Sequence, residues 1–198
     1  MDTPDAGAAV ITASLGDDRD EAQLLRRIGE GDETAMAAFY REHGRVVTAH
    51  ILLMVADRVL AEEIVQDTML AVWRGAAAFR GEASARSWVI AIARRQARDR
   101  LRGRRLRVVD DTFLAGQPSP GPGPETTALD RAELTEVTRA IGQLTLAHRE
   151  VLGLAFGSGL GLPEIAEVLQ IPVGTVKSRL AAARAALSRL LNEKGKNQ

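Results

Sequence analysis

Apolar residues recur every three to four positions along most of the chain, which is the period of an α-helix rather than the alternation of a β-strand. This pattern predicts an all-α protein. In the N-terminal half it predicts helices that begin near Asp20, Asp32 and Leu60, followed by a fourth helix over residues 84–107. We expect these four helices to form one compact domain over residues 20–107.

The segment AGQPSPGPGP, residues 115–124, interrupts the helical pattern and holds four of the seven prolines. Proline lacks an amide donor and glycine resists ordering, so neither a helix nor a sheet continues through this segment. We therefore predict a flexible linker over residues 108–128 and a second helical domain over residues 129–192. An acidic tail, residues 1–19, is predicted to be disordered, and residues 193–198 form a short C-terminal tail.

The C-terminal half carries the pattern of a helix-turn-helix. LPEIAEVL predicts a short amphipathic helix, QIP a turn, and the following residues a last helix that runs from Val173 to about Leu191. The apolar stripe expected to be buried on that helix contains Val173, Val176, Leu180, Ala183 and Leu187. The opposite side carries small residues with Lys177 and Arg179 on its flanks, an arrangement that suits a helix lying in a DNA major groove.

The charges are segregated, although the formal net charge is zero. Residues 84–107 contain nine arginines and one acid, whereas residues 1–33 contain nine acids and three arginines. Residues 171–191 contain four cations and no acid. The arginines on or beside one face of the fourth helix are Arg94, Arg95, Arg98, Arg102 and Arg105. Their mutual repulsion is costly unless a polyanion lies along them, so we predict nucleic-acid contacts.

Several other classes of protein are disfavoured. The chain has no cysteine, so it has neither disulfides nor a thiolate metal site. Its three histidines lack metal-ligand spacing, and His43 and His50 are expected at a helix surface. GSGLG lacks the preceding strand and the lysine of a phosphate loop. A signal peptide and a run of about 20 apolar residues are both missing. We expect a cytoplasmic protein that is not an enzyme, binds no cofactor or metal, and does not insert into a membrane.

The segment REVLGLAFGSGLGLPEIAEVLQIPVGTVKSRLAAAR resembles region 4, the promoter-reading domain of bacterial RNA polymerase sigma factors. AEEIVQDTMLAVWR followed by FRGEASARSWVIAIARRQARDRLR resembles their region 2. Two such regions alone, joined by a short linker, resemble the extracytoplasmic-function (ECF) group over residues 20–192. The resemblance implies an alternative sigma factor that binds core polymerase and directs promoter recognition, DNA melting and transcription initiation in a stress or signal response.

The resemblance also implies roles for individual residues. Those implied to dock on the β′ clamp of the polymerase core are Glu62, Glu63, Gln66 and Asp67. Those implied to capture a flipped base of the −10 element and to hold the melted strand are Phe79, Arg80, Gly81, Ser84, Arg94, Arg95, Arg98, Arg102 and Arg105. Those implied to read the upstream (−35) element are Gly174, Thr175, Lys177, Ser178, Arg179 and Arg184. The polymerase β flap and an anti-sigma factor are further implied partners.

The main alternative is a helix-turn-helix transcription regulator that acts without replacing the sigma subunit. The C-terminal module alone fits that class nearly as well. Such a regulator needs a ligand pocket or a phospho-receiver domain in its other half, and a receiver requires strands that end in carboxylates. The N-terminal half instead offers helices, an arginine-rich face and a loop suited to base capture. A separate hypothesis is that the acidic tail masks the basic faces.

Overall fold

Helices make up the regular structure throughout the described parts of the chain. The computed structural model describes residues 20–55, 57–110, 137 and 139–195, except for the side chains of residues 104–110 and 193–195. No strand occurs in these ranges, and the all-α prediction is confirmed. The predicted acidic tail, residues 111–128 of the predicted linker and the last three residues lie outside the described residues.

The N-terminal half contains four α-helices and a short 3-10 turn. They are α1 (20–29), α2 (Glu33–Val55), α3 (Arg58–Gly75), the turn Ala76–Ala78 and α4 (Ala85–Asp110). Asp32 caps α2 because its carboxylate accepts hydrogen bonds from the amides of Thr34 and Ala35, at 2.8 and 3.1 Å. Helix α4 continues three residues beyond the predicted end of the domain, since Val-Val-Asp contains no helix breaker.

The C-terminal half contains shorter helices that lead into one long helix. They are α5 (139–143), α6 (Leu146–Leu152), a π-helical turn (Gly153–Gly157), α7 (Leu162–Leu169) and α8 (Val173–Gly195). Helix α6 ends at Leu152 and widens into the π turn. Gln170 ends α7 in the left-handed conformation, with φ of 54°. The turn to α8 is therefore short, and the predicted helix-turn-helix is present.

The buried side chains of both halves form one continuous hydrophobic cluster. Helices α2, α3 and α4 pack on one another, while α6 and α7 pack on α8. Helix α6 and the π turn also lie against α2, and α7 lies against α4. The two helical units therefore share an interface. Along α8, Val176, Leu180 and Ala183 are buried as expected, but Val173 is 37% exposed. None of the described helices is long and apolar enough to cross a membrane.

Both histidines of α2 are buried, so the prediction of a surface position was wrong. His43 packs against Phe39 with ring centroids 4.4 Å apart, and its Nε2 lies 3.5 Å from Oε1 of Glu21 on α1. His50 faces the backbone of Gly153, where an added Cβ would lie 3.1 Å from the His50 Nδ1. Helix α2 is thus covered by α1 on one side and by the C-terminal half on another. The periodicity of apolar residues along α2 does not reveal that the C-terminal half covers this helix.

The environment of His50 opposes its protonation. Burial, together with the positive charge of Arg94 on α4, lowers the pKa of His50 to about 4, although the backbone of Gly153 partly opposes both effects. The unfolded chain would bind a proton at this imidazole near the ordinary value of 6.5. Stability that is present above pH 6.5 is therefore lost as the pH falls toward 4.

We predict that acidification destabilises the native chain partly through His50. Between pH 7 and pH 4.5 the free energy of unfolding should fall by about 2 kcal/mol more in the native protein than in a His50→Gln variant, which has no titrating group there. Urea titrations followed by circular dichroism at the two pH values measure this difference. Equal losses in the two proteins would contradict the prediction.

Candidate nucleic-acid interface

The arginines of α4 differ in their exposure. Arg95 and Arg102 are exposed to solvent. The side chain of Arg98 is 42% exposed and that of Arg94 only 18%. The side chain of Arg105 lies outside the described residues. Of the arginine face predicted for this helix, one part is thus open to solvent, while Arg94 lies largely beneath the C-terminal half.

Glu150 of α6 neutralises the covered part of this face. Its side chain is 3% exposed, and its Oε1 lies 3.1 Å from Nε of Arg94 and 3.3 Å from Nη1 of Arg98. Arg94 also donates from Nη1 to the main-chain carbonyl of Val168, at 3.4 Å. The sequence predicted an external polyanion as the partner of both arginines, yet an acid of the same chain binds them here. We call Arg94, Arg98 and Glu150 the Glu150 cluster.

A third cation lies close to the Glu150 cluster. Burial lowers the pKa of Arg94, the carboxylate of Glu150 opposes that effect, and the like charges of Arg98 and Arg179 lower the pKa further. Arg179 belongs to α8, the helix predicted to read DNA. Cations from both candidate DNA-binding helices therefore act on Arg94, and the carboxylate of Glu150 opposes their effect.

A second polar cluster joins the start of α4 to the start of α7. Ser84 is the N-cap of α4, since its Oγ accepts the amide of Ser87 at 3.1 Å. The hydroxyls of Ser84 and Ser87 lie 3.1 and 2.9 Å from Oε1 of Glu164. The other oxygen of Glu164 accepts the amide of Gly161 at 2.9 Å, which caps α7. We call Ser84, Ser87 and Glu164 the Glu164 cluster.

The loop between α3 and α4 holds the residues that were predicted to capture a base. Phe79 packs against Trp88 with ring centroids 5.2 Å apart and ring planes 58° from parallel, and both rings are partly buried against the core. Arg80 is exposed, with Nη1 4.0 Å from a carboxylate oxygen of Glu82. Gly81 has φ of 72°, a left-handed conformation that favours glycine. The loop thus presents one cation and the edge of an aromatic pair.

A surface pocket of about 350 Å³ opens beside this loop. The residues that line it are Ala22, Arg26, Gly29, Glu30, Ala76, Ala77, Phe79, Arg80 and Gly81. Sequence reasoning did not identify the wall formed by α1, because nothing local indicates that α1 lies against the 3-10 turn. Gly29 permits this approach, since a Cβ there would lie 2.8 Å from the Cα of Ala77.

We predict that Gly29→Ala lowers the free energy of unfolding by about 1–3 kcal/mol, because α1 or the 3-10 turn must shift to admit the methyl group. Gly142→Ala is the matched control, since a Cβ at Gly142 meets nothing within 4 Å. The control should be neutral or slightly stabilising. Chemical denaturation of the two variants and the native chain measures both effects, and identical midpoints for the two variants would refute the role of Gly29.

The residues predicted to dock on polymerase lie on one side of α3. Glu62, Glu63 and Gln66 are exposed, and the side chain of Asp67 is 34% exposed. Arg100 of α4 pairs with Glu63 at 3.1 Å and with Asp67. Surface ion pairs of this kind contribute only about 0–1 kcal/mol, so Arg100 orients the two carboxylates while leaving them open to a competing partner.

The residues predicted to read DNA lie along the first half of α8. Those that are exposed are Gly174, Lys177, Ser178 and Arg184, and those that are partly buried are Thr175 and Arg179. The guanidinium of Arg184 lies 5.1 Å from the ring centroid of Phe156, which is 63% exposed on the π turn. This cation–π contact orients Arg184 toward the π turn. Phe156 was not predicted, because no sequence signal pairs the π turn with α8.

One group of side chains brings together potential metal ligands among the described residues. The donor atoms of Glu21, Glu42 and His43 lie within 4.8 Å of one another where α1 meets α2. The contact of His43 with Glu21 also serves helix packing, since it places a carboxylate beside a buried imidazole. We assign no metal function to this group.

Two family models match the chain. The model for Sigma-70 region 2 matches residues 39–107, and the model for Sigma-70 region 4 matches residues 134–187. The RNA polymerase sigma factor NccH of Alcaligenes xylosoxydans xylosoxydans is 34% identical over 179 residues, which cover 87% of this chain and 94% of the relative. The ECF RNA polymerase sigma factor SigL of Mycobacterium tuberculosis is 36% identical over 163 residues, which cover 81% of this chain and 90% of the relative.

Solved structures with the same fold include two sigma factors in complexes. CnrH in complex with the cytosolic domain of CnrY has a TM-score of 0.68 and 26% identity, with 87% of this chain and 97% of that chain covered. The sigma factor RpoE of Bartonella quintana, in complex with the anti-sigma factor NepR, has a TM-score of 0.68 and 25% identity, with 78% and 97% covered.

Proposed function

The chain belongs to the extracytoplasmic-function (ECF) group of bacterial RNA polymerase sigma factors, and we propose that its two helical units divide the work of such a factor between them. It acts in the cytoplasm, binds core polymerase and selects promoters, while the polymerase carries out the chemistry. The chain itself is not an enzyme and needs no metal or cofactor. The observation that carries this proposal is the presence of two cationic modules, one on α4 and one on α8, beside an acidic face on α3.

The pocket beside Phe79 fits the capture of an unstacked base of the −10 element. At about 350 Å³ it lies at the small end of ligand pockets, and Phe79 offers an aromatic surface at its rim. Arg26 and Arg80, which also line the pocket, supply positive charge for the flanking phosphates. A base bound here would recover part of the free energy that unstacking costs.

The exposed arginines of α4 are proposed to hold the backbone of the melted strand. Arg95 and Arg102 are the pair best suited to a test, since neither belongs to the Glu150 cluster. We predict that Arg95→Glu with Arg102→Glu lowers run-off transcription at least about tenfold, because two phosphate contacts become repulsive. The slope of log affinity against log salt for single-stranded DNA should fall in magnitude by about 1.4, since each lost phosphate contact removes about 0.7.

The matched control is Arg41→Glu with Arg45→Glu, which makes the same change in charge at exposed positions of α2. Its transcription should stay close to that of the native chain. Undiminished transcription in the α4 variant, or an equal loss in both variants, would remove the strand-holding role from α4.

The start of α8 is proposed to read the upstream (−35) element. Gly174 and Ser178 are small and exposed, so the helix backbone can approach base edges closely, while Lys177 beside them can reach a phosphate. Thr175 and Arg179 lie on the same turns. A helix of this kind, preceded by the short turn after α7, has the geometry of a recognition helix in the major groove.

Association with core polymerase is the experiment that tests the function as a whole. We predict that the purified chain co-elutes with bacterial core polymerase and initiates transcription at defined sites in a genomic promoter library. Glu63→Lys with Asp67→Lys should weaken core binding at least about tenfold, because like charges replace the proposed docking contacts. Glu33→Lys with Glu167→Lys, two exposed acids elsewhere, should bind core as the native chain does.

The alternative function makes a different prediction for the same assay. A helix-turn-helix regulator would bind DNA but would neither co-elute with core polymerase nor create new start sites. The residues on α3 would then have no role in binding, and the two pairs of acid substitutions would behave alike.

We also propose an anti-sigma partner that covers the polymerase-binding residues of α3 and part of the second helical unit. Support comes from the two solved structures described above, one of which is a sigma factor bound to the anti-sigma factor NepR. The polymerase β flap is proposed as a further partner of the C-terminal unit.

A further inference from the structure

The pocket beside Phe79 is lined by one acid, Glu30, which lies directly after α1. We propose that Glu30 reads the captured base by accepting a hydrogen bond from its exocyclic amine, so that the pocket admits cytosine, adenine or guanine and rejects thymine. This inference rests on the proposed function, because it names the bases that the pocket selects from the −10 element.

The end of α1 holds the backbone of Glu30 in one place. The amide of Glu30 donates to the carbonyls of Arg26 and Arg27, both at 3.1 Å. Gly31 follows in the left-handed conformation, with φ of 87°. The amide of Asp32 then donates to the carbonyl of Arg27 at 3.0 Å, which completes a hydrogen-bonded helix end. The point from which the Glu30 side chain leaves the backbone is therefore fixed before a ligand binds.

The wall that carries Glu30 is also fixed against the rest of the pocket. Gly29 lies so close to the 3-10 turn that an added Cβ would be 2.8 Å from both the N and the Cα of Ala77. The 3-10 turn leads directly into Phe79, and all of these residues line the same cavity of about 350 Å³. The acid and the aromatic ring are thus held together in one preformed site.

An acid directly after α1 is electrostatically unfavourable for the chain itself. The C-terminal end of a helix carries partial negative charge, which favours cations and repels carboxylates. Two nearby cations lie beside other acids, since Arg27 pairs with Asp32 at 2.6 Å and Arg80 lies 4.0 Å from Glu82. A DNA strand would bring still more negative charge to this place. A carboxylate that both the helix and the strand oppose indicates a specific role, because such departures from local rules occur at functional sites.

The donors and acceptors of the bases decide which of them suits this carboxylate. An ionised carboxylate can only accept hydrogen bonds. Cytosine, adenine and guanine each carry an exocyclic amine that donates, whereas thymine carries carbonyl oxygens instead. The one ring N–H of thymine is flanked on both sides by these oxygens, which repel the carboxylate. Stacking on Phe79 does not discriminate, because every base has a π face. Glu30 is therefore the group that separates thymine from the other bases.

The test uses short single strands of abasic DNA that carry one central base, so that no other base can enter the pocket. Four strands differ only in that base, and a fifth strand carries none. Fluorescence anisotropy measures the affinity of the full-length chain for each strand. Glu30→Gln keeps the size of the side chain but adds N–H donors, which the oxygens of thymine accept. Glu33→Gln is the matched control, since it removes the same charge from an exposed acid that does not line the pocket.

We expect the native chain to bind each strand with an amine-bearing base at least about fivefold more tightly than the thymine strand, which is the lower end of what one base contact discriminates. Glu30→Gln should bring this ratio close to one, and Glu33→Gln should leave it at the native value. Equal affinities for the four bases in the native chain, or an unchanged ratio in Glu30→Gln, would overturn the proposal.

Transcription from the genomic promoter library provides a second measurement. Promoters used by the Glu30→Gln holoenzyme should include thymine at one position of the −10 element where the native holoenzyme excludes it. The same base frequencies at every −10 position for the two proteins would count against Glu30.

The abasic strand separates this proposal from the function on which it rests. If the four strands with a base bind no more tightly than the strand without one, base capture by the pocket is refuted and the role of Glu30 falls with it. Co-elution with core polymerase is scored separately. A base preference that depends on Glu30, in a chain that does not co-elute, supports the role of Glu30 and contradicts the proposed docking on polymerase.

Discussion

The burial of one carboxylate, that of Glu150, between two arginines of α4 sets how the halves of this chain meet. An ionised group is tolerated in a protein interior only where charge and hydrogen bonds compensate its lost hydration. Arg94 and Arg98 provide that compensation at 3.1 and 3.3 Å, and Arg94 also donates to the carbonyl of Val168 near the end of α7. Helices α4, α6 and α7 are thereby fixed relative to one another.

Apolar packing and polar contacts contribute differently to this arrangement. The continuous hydrophobic cluster supplies the attraction between the halves, but burial of apolar area alone does not select one orientation. The Glu150 and Glu164 clusters are directional, because each requires donors and acceptors from both halves to coincide. His50 adds a further condition, since this fully buried imidazole must stay neutral while Gly153 lies against it. The interface therefore selects one orientation of the two halves, although its charged groups do not strongly favour the contact.

The sequence predicted the positions of the helices much better than it predicted which helices and side chains contact one another. Periodicity located α7 and the start of α8 because Glu164, Gln170 and Pro172 supply local signals for capping, turning and starting a helix. It failed for His50 because amphipathicity identifies one buried face of a helix and not a second one covered by distant residues. Similarly, the arginine-rich face was correctly placed on α4, but its acidic partner lies 52–56 positions away and carries no local mark.

The candidate site shows the same division between local and distant information. The loop predicted to capture a base could be located from its own residues, whereas the wall of the pocket formed by Arg26 and Gly29 depends on how α1 packs. The α3 residues that are predicted to dock on polymerase could be placed on one helical face, yet the pairing of two of them with Arg100 joins positions 33–37 apart. Residue type and spacing therefore predict the kind of chemistry available, and tertiary packing decides which groups are free to perform it.

That distinction matters most for a surface rich in arginine. Guanidinium groups bind any suitably placed oxyanion, so a cationic face built for DNA also attracts the acids of its own chain. Exposed pairs such as Arg100 with Glu63 are screened by salt and exchange easily with an external anion. The pair of Arg94 and Glu150 is instead largely shielded from solvent, with side chains 18% and 3% exposed, so salt weakens this pair much less than it weakens an exposed one.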